Sequence, residues 1–158
     1  MHEGTVAEDA REMYIWTSLG TEHMKLDEKG RFAPPPALPE HAETVSRIVA
    51  AWPEVHARTH LLLGDETEID GADFYLGQEE LGHIHLEGEA HIAVSPKLRD
   101  ALIKAGRAKA FRWSPAFVVF PIRTAADVSR AEALFRLSYD RRRGVPQEEL
   151  LRRATVDA

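Results

Sequence analysis

Residues 80–91 read ELGHIHLEGEAH and hold three of the chain's eight histidines with three carboxylates among them. Imidazole is the one side chain whose ordinary pKa lets it change charge near neutral pH, and its neutral ring is also a common metal ligand. Three readings of the stretch follow. His83, His85 and His91 accept or donate protons to a bound substrate as metal-free catalytic residues. His83 and His85, with His91 or Glu89, ligate a divalent metal such as Zn or Fe. Or the rings belong to a polar hairpin face and hydrogen-bond only to their neighbours.

Strand parity decides whether the three rings can meet. Alternate side chains share a face, so His83 and His85 point one way while Ile84 and Leu86 point the other. In the next strand His91 and Ala93 oppose Ile92 and Val94. Apolar sets must meet on one side of the sheet, which sets Ile84 across from Ile92 and Leu86 across from Ala90. The loop is then Glu87-Gly88-Glu89, and His85 lies across from His91 with Cβ atoms about 5 Å apart. A two-residue Glu87-Gly88 loop would instead place His91 beside Ile84 and disperse the cluster.

The surrounding elements follow from periodicity and turn residues. Val45, Ile48, Val49 and Trp52 recur at helical spacing until Pro53. Strands are expected over His56–Leu63 before a Gly64-Asp65 turn, then over Ala72–Leu76, Leu81–Leu86 and Ala90–Val94. Ser95-Pro96 opens a second helix and Gly106 closes it. Ala110–Trp113 and Phe117–Ile122 read as strands around Ser114-Pro115. Thr124 and Asp127 form a capping-box variant at the start of a third helix, which Gly144 and Pro146 stop; Gln147–Ala154 reads as a short fourth. Consecutive strands joined by short turns imply an α+β fold, an antiparallel sheet built from hairpins with helices packed mainly on one face.

Residues 1–40 read as an N-terminal arm, with a helix from Val6 to Trp16 and a connector bearing four prolines in six residues (34–39). Tyr14, Ile15 and Trp16 need cover from the body or from a second subunit, which leaves a homodimer open. The body spans 41–143 and the tail 144–158.

The chain of 158 residues carries a net charge of −6, 44% hydrophobic and 29% charged residues, and no cysteine. That charge argues against nucleic-acid binding, which needs a basic face. No run nears the roughly 20 apolar residues that span a bilayer, so no membrane partner is expected. The N-terminus lacks a basic start followed by an apolar run, so no secretory leader is expected. Absent cysteine removes disulfides and thiolate chemistry and fits a cytoplasmic setting.

From about Val45 to Arg142 the chain resembles the luciferase-like domain family that includes the fungal luciferases. The residues that carry the resemblance are AWPEV (51–55), GQEELGHIH (77–85), KLRDAL (97–102), AGRA (105–108), FPIR (120–123), ADV (126–128) and LFRLSY (134–139). The resemblance implies an oxidoreductase that acts with O2 on an enolic, polyketide-like or phenolic small molecule without metal or flavin, so that no cofactor is expected. Imidazoles would then take a proton from an enol and hold a peroxy anion. Where many relatives carry Gly-Trp before a Val-x-Phe strand, this chain has Phe111 to Phe117 with Ser114-Pro115, so substrate choice should differ. The spacing from Gly77 through His83 and His85 to Glu89 also resembles the first cupin motif, but its closing glycine is replaced by Pro96 and no histidine follows His91. As substrate-binding candidates we take Arg58 and His60, two apart in a strand; Trp113 and Phe117, which flank the departure; and Arg123 at a strand end.

Overall fold

The computed structural model describes residues 25–29, 33–61 and 68–156. The expected Val6–Trp16 helix and the Gly64-Asp65 turn lie outside the described residues. Six strands form one sheet: β1 (Val55–Leu61), β2 (Ile69–Leu76), β3 (Glu79–His85), β4 (Glu89–Ala93), β5 (Lys109–Ala110) and β6 (Phe117–Pro121). Their order is β1-β2-β3-β4-β6-β5, and every neighbouring pair is antiparallel. Among the described residues four α-helices accompany them, α1 (Glu40–Ala50), α2 (Pro96–Lys104), α3 (Ala125–Arg142) and α4 (Gln147–Thr155), with a single 3-10 turn at Leu26–Lys29. The α+β architecture is thus the expected one. No helix among the described residues is long and apolar enough to cross a membrane.

One face of the sheet carries the main core. Ala72, Phe74, Leu81, Ile84, Ala90, Ile92 and Val118 pack there against Ala42, Val45 and Val49 of α1, Leu98 and Leu102 of α2, and Leu134 and Phe135 of α3. The helix boundaries come from their caps. Ser95 accepts a hydrogen bond from the Leu98 N–H at 3.2 Å with Pro96 at the first helical position, and Gly106 ends α2 at φ +70°. Asp127 accepts from the backbone N–H groups of Arg123 (2.9 Å) and Thr124 (3.0 Å), which fixes the first turn of α3. The proline-rich connector runs beside β1, where Ala33 C=O accepts from Thr59 N–H at 2.8 Å and Pro34 C=O accepts from the Thr59 hydroxyl.

Two expectations are corrected. Ile84 pairs with Ala90 and Gly82 with Ile92, so His91 lies across from His83 rather than His85, and Leu86 is exposed instead of facing Ala90. The offset differs by two residues, which preserves parity and keeps the imidazoles on one side. Its cause is packing against α3. A Cβ on Gly82 would come within 2.8 Å of Phe135 Cε1, so the Phe135 ring occupies the space over that glycine, and each isoleucine finds a small residue across the ladder. The second correction concerns Ala110–Trp113: only Lys109–Ala110 is strand. Ser114 N–H donates to Phe111 C=O at 3.3 Å and the Ser114 hydroxyl accepts from Ala116 N–H at 3.1 Å, which turns the chain there and tucks Phe111 inside.

Candidate functional site

The sheet face opposite the helices is built from polar residues that are buried. Parity places Arg58 and His60 of β1, Asp73 of β2, His83 and His85 of β3 and His91 of β4 on this side. One cross-strand row runs Arg58, Asp73, His83, His91, Val119; the next runs His60, Gly71, His85. The four histidines are between 4% and 7% exposed, and Arg58 is 2% exposed. Burying that many polar groups is costly unless each is paired.

The imidazoles form a contiguous group. His83 and His85 ring centroids are 4.9 Å apart, His85 and His91 4.5 Å, and His83 and His91 4.9 Å. His60 joins them by stacking on His83, 4.2 Å between centroids and 8° from parallel. Gly71 lies between His60 and His85 in the register, and a Cβ there would fall 1.9 Å from Ile84 O, so the strands approach too closely at this position for any side chain.

A carboxylate oxygen lies close to a nitrogen of each ring. His60 Nδ1 lies 2.6 Å from Asp73 Oδ1, His83 Nδ1 2.8 Å from Glu80 Oε1, and His85 Nδ1 2.9 Å from Asp70 Oδ2. His91 is turned the other way, with Nε2 2.9 Å from Glu89 Oε1. An ionised carboxylate only accepts, so the nitrogen facing it carries the proton. In a neutral ring the opposite nitrogen then offers its lone pair: Nε2 in His83 and His85, and Nδ1 in His91; His60 has a carboxylate near both nitrogens, Asp73 Oδ1 at 2.6 Å from Nδ1 and Asp70 Oδ2 at 3.6 Å from Nε2. Carboxylate-backed imidazoles of this kind are well oriented both as bases and as metal ligands.

Simple alternation misplaces two of these carboxylates. Asp70 and Glu80 have even numbers and by parity belong with Ala72, Phe74 and Ile84 on the helix face. A β-bulge corrects each. The β1–β2 register shifts between His60 and Leu61, with Asp70 as the extra residue; the β2–β3 register shifts between Phe74 and Tyr75, with Leu81 as the extra residue. Bulges re-aim side chains in this way and often include a glycine. Gly71 and Gly82, each at φ near +155°, follow the two extra residues. Glycines inside otherwise good strands were the available signal for these partners.

Charge on the face is coupled. Burial alone would raise the Asp70 carboxyl, but the hydrogen bond and positive charge of His85, with His60 and His91, hold it below its ordinary value. Glu89 is also lowered, first by its bond to His91 and then, against the effect of burial, by His91, His85 and Lys109. Beside the imidazoles lies an aromatic wall: Phe111 is 4.9 Å from His91, Phe117 is 6.2 Å from His83, and Trp113 packs partly buried against the cluster of Ala93, Phe111 and Phe117. Among the sequence candidates, His60, His83, His85, His91, Arg58, Glu89 and Phe117 thus share this face. Trp113 packs against Phe111 and Phe117, with the Arg112 guanidinium 4.1 Å from its ring. Arg123 is exposed at the β6–α3 junction, and no contact among the described residues links it to the imidazoles.

A family model described as Luciferase domain matches residues 78–138, from the start of β3 through most of α3, and bears out the luciferase-like resemblance there. His83, His85, His91, Phe111 and Phe117 fall inside this segment. No curated protein and no solved structure matches the chain significantly.

Proposed function

We propose that the chain is a small luciferase-like enzyme that joins O2 to an enolic, polyketide-like or phenolic molecule at the imidazole face. The reading is supported chiefly by one observation: three carboxylate-held imidazoles lie within 4.9 Å of one another, beside Phe111 and Phe117, in the segment that matches the luciferase domain. His91 is the proton acceptor of this scheme. Its Nε2–H is fixed by Glu89, whose carboxylate strengthens the ring as a base, and Nδ1 takes the enol proton. The enolate carbon then supplies the electrons for a C–O bond to O2. The resulting peroxy anion regains the proton from His91, and the product is a hydroperoxide of the substrate. The returning proton neutralises that anion, and burial of the face keeps water from competing for it. The aromatic wall suits a flat conjugated substrate.

Oxygen uptake by the purified full chain with a panel of enolic pyrones and phenols tests the reading. One O2 consumed per substrate is expected, with the rate falling about 10²–10⁴-fold in His91→Ala and unchanged in Lys104→Ala at the exposed end of α2. Binding of such molecules without oxygen uptake, at an affinity His91→Ala leaves intact, would make this a non-catalytic binding domain.

A further inference from the structure

Three consecutive arginines, Arg141 to Arg143, close α3. Cations at a helix C-terminus ordinarily serve the helix itself. Here the last carbonyls are already capped by backbone: Tyr139 C=O accepts from Arg143 N–H at 3.1 Å, Asp140 C=O from Val145 N–H at 3.0 Å, and Arg141 C=O from Gly144 N–H at 3.1 Å. Carboxylates do not complete the guanidiniums either. Arg142 Nη2 stops 3.8 Å from Glu79 Oε2 and Arg143 Nη1 stops 3.7 Å from Glu54 Oε2. Both gaps exceed the roughly 3.2 Å reach of a hydrogen bond. Arg142 Nε and Arg141 Nη1 are buried and have no hydrogen-bond partner among the described residues. A buried N–H without an acceptor is costly, most of all on a charged group. The Arg141 guanidinium is held below its ordinary value first by burial and then by the Arg142 charge, with Glu79 acting the other way.

A cleft of about 500 Å³ opens beside these side chains, lined by Glu54, His56, Leu76, Gly77, Arg142 and Arg143. Arg143 is fixed at its edge by one bond, Nη1 donating to the Tyr139 hydroxyl at 3.0 Å, and that hydroxyl donates in turn to Pro53 C=O at 2.9 Å. Its Nε and Nη2 have no acceptor among the described residues. We infer that this cleft binds a phosphoryl dianion, either free phosphate or the head of a small phosphate ester, with Arg142 and Arg143 donating to its oxygens and His56 adding an imidazole N–H. A phosphoryl group offers three terminal oxygens and two charges, so it serves both guanidiniums at once, and planar guanidinium forks suit it well. The cleft has room beyond the phosphoryl group, and Leu76 offers an apolar contact to an ester's organic part. No imidazole of the proposed oxygenase reaction lines the cleft, so this inference stands or falls apart from that reading.

The test is binding by the full chain in phosphate-free buffer. Phenyl phosphate, inorganic phosphate and benzoate are titrated by calorimetry, and amide NMR locates the site. One equivalent of phenyl phosphate should bind at least about 10-fold tighter than benzoate, with the largest shifts at the His56 and Gly77 amides. Arg142→Gln and Arg143→Gln should each weaken binding about 10-fold or more. Lys97→Gln, which removes one exposed charge of the same sign from α2, should leave it unchanged. Tighter phenyl phosphate assigns the site to an ester and equal affinities assign it to free phosphate; both support the inference. Benzoate binding as tightly as phenyl phosphate, no saturable binding of either phosphate, or affinity that survives in both Arg142→Gln and Arg143→Gln would overturn it. The wild-type comparison decides the matter even if a variant fails to fold.

Discussion

Replacing Gly82 by alanine tests how the bulge, the helix and the imidazole face depend on one another. An added Cβ would stand 2.5 Å from His91 O and 2.8 Å from Phe135 Cε1, on a backbone at φ +155°. Adding a methyl group to a packed interior costs about 1–3 kcal/mol, and the positive φ adds about 1–2 kcal/mol. The expected loss is therefore about 3 kcal/mol, or roughly 6–12 °C in Tm for a domain of this size. Thermal and urea unfolding followed by circular dichroism give the number. Phe135→Leu removes the ring edge but not the His91 carbonyl, so a double-mutant cycle should show a coupling of about 1 kcal/mol between positions 82 and 135, with most of the loss remaining. A Gly82→Ala cost below about 0.5 kcal/mol, the level of an ordinary surface change, would refute the bulge geometry and with it the route by which Glu80 reaches His83.

Two further perturbations probe the frame. Arg58→Met should destabilise by about 3 kcal/mol in urea at pH 7, because it strips a buried cation from the strand position facing the fully buried Asp73; a neutral result would mean that the charges on this face are not as buried as described. Asp127→Ala should lower stability by about 1 kcal/mol through loss of the α3 cap. The Asp127 carboxyl is held below its ordinary value first by the Arg123 N–H, then, against burial, by Thr124 and Arg130. Its contribution should thus be fully present above the unfolded value near ~3.9 and vanish as pH falls through the lower folded value; an Asp127→Ala deficit that is the same at pH 7 and pH 2 would contradict this.

Much of the frame was legible because its signals are local. Ser95-Pro96, Gly106 and the Thr124–Asp127 pair mark helix ends with residues that work within one turn. The gathering of His83, His85 and His91 was legible because parity survives a register error of two. The true offset was hidden, since it depends on Phe135, more than fifty positions away, needing the space over Gly82. His60 was visible as a candidate, but its stacking on His83 was not, because it joins side chains of β1 and β3 across the intervening β2. Asp70 and Glu80 were lost because two bulges invert the alternation that had been followed, although Gly71 and Gly82 marked both places. Ser114-Pro115 shortened a strand that apolar content alone had extended.

Long-range ¹⁵N NMR of the imidazole rings, at a pH where they are neutral, measures most directly whether carboxylates hold these histidines in converging orientations. The expected spectrum shows His83 and His85 protonated at Nδ1 and His91 protonated at Nε2, each locked in a single tautomer. Rings averaging between tautomers, or His83 and His85 protonated at Nε2, would contradict the arrangement from which the proposed chemistry follows.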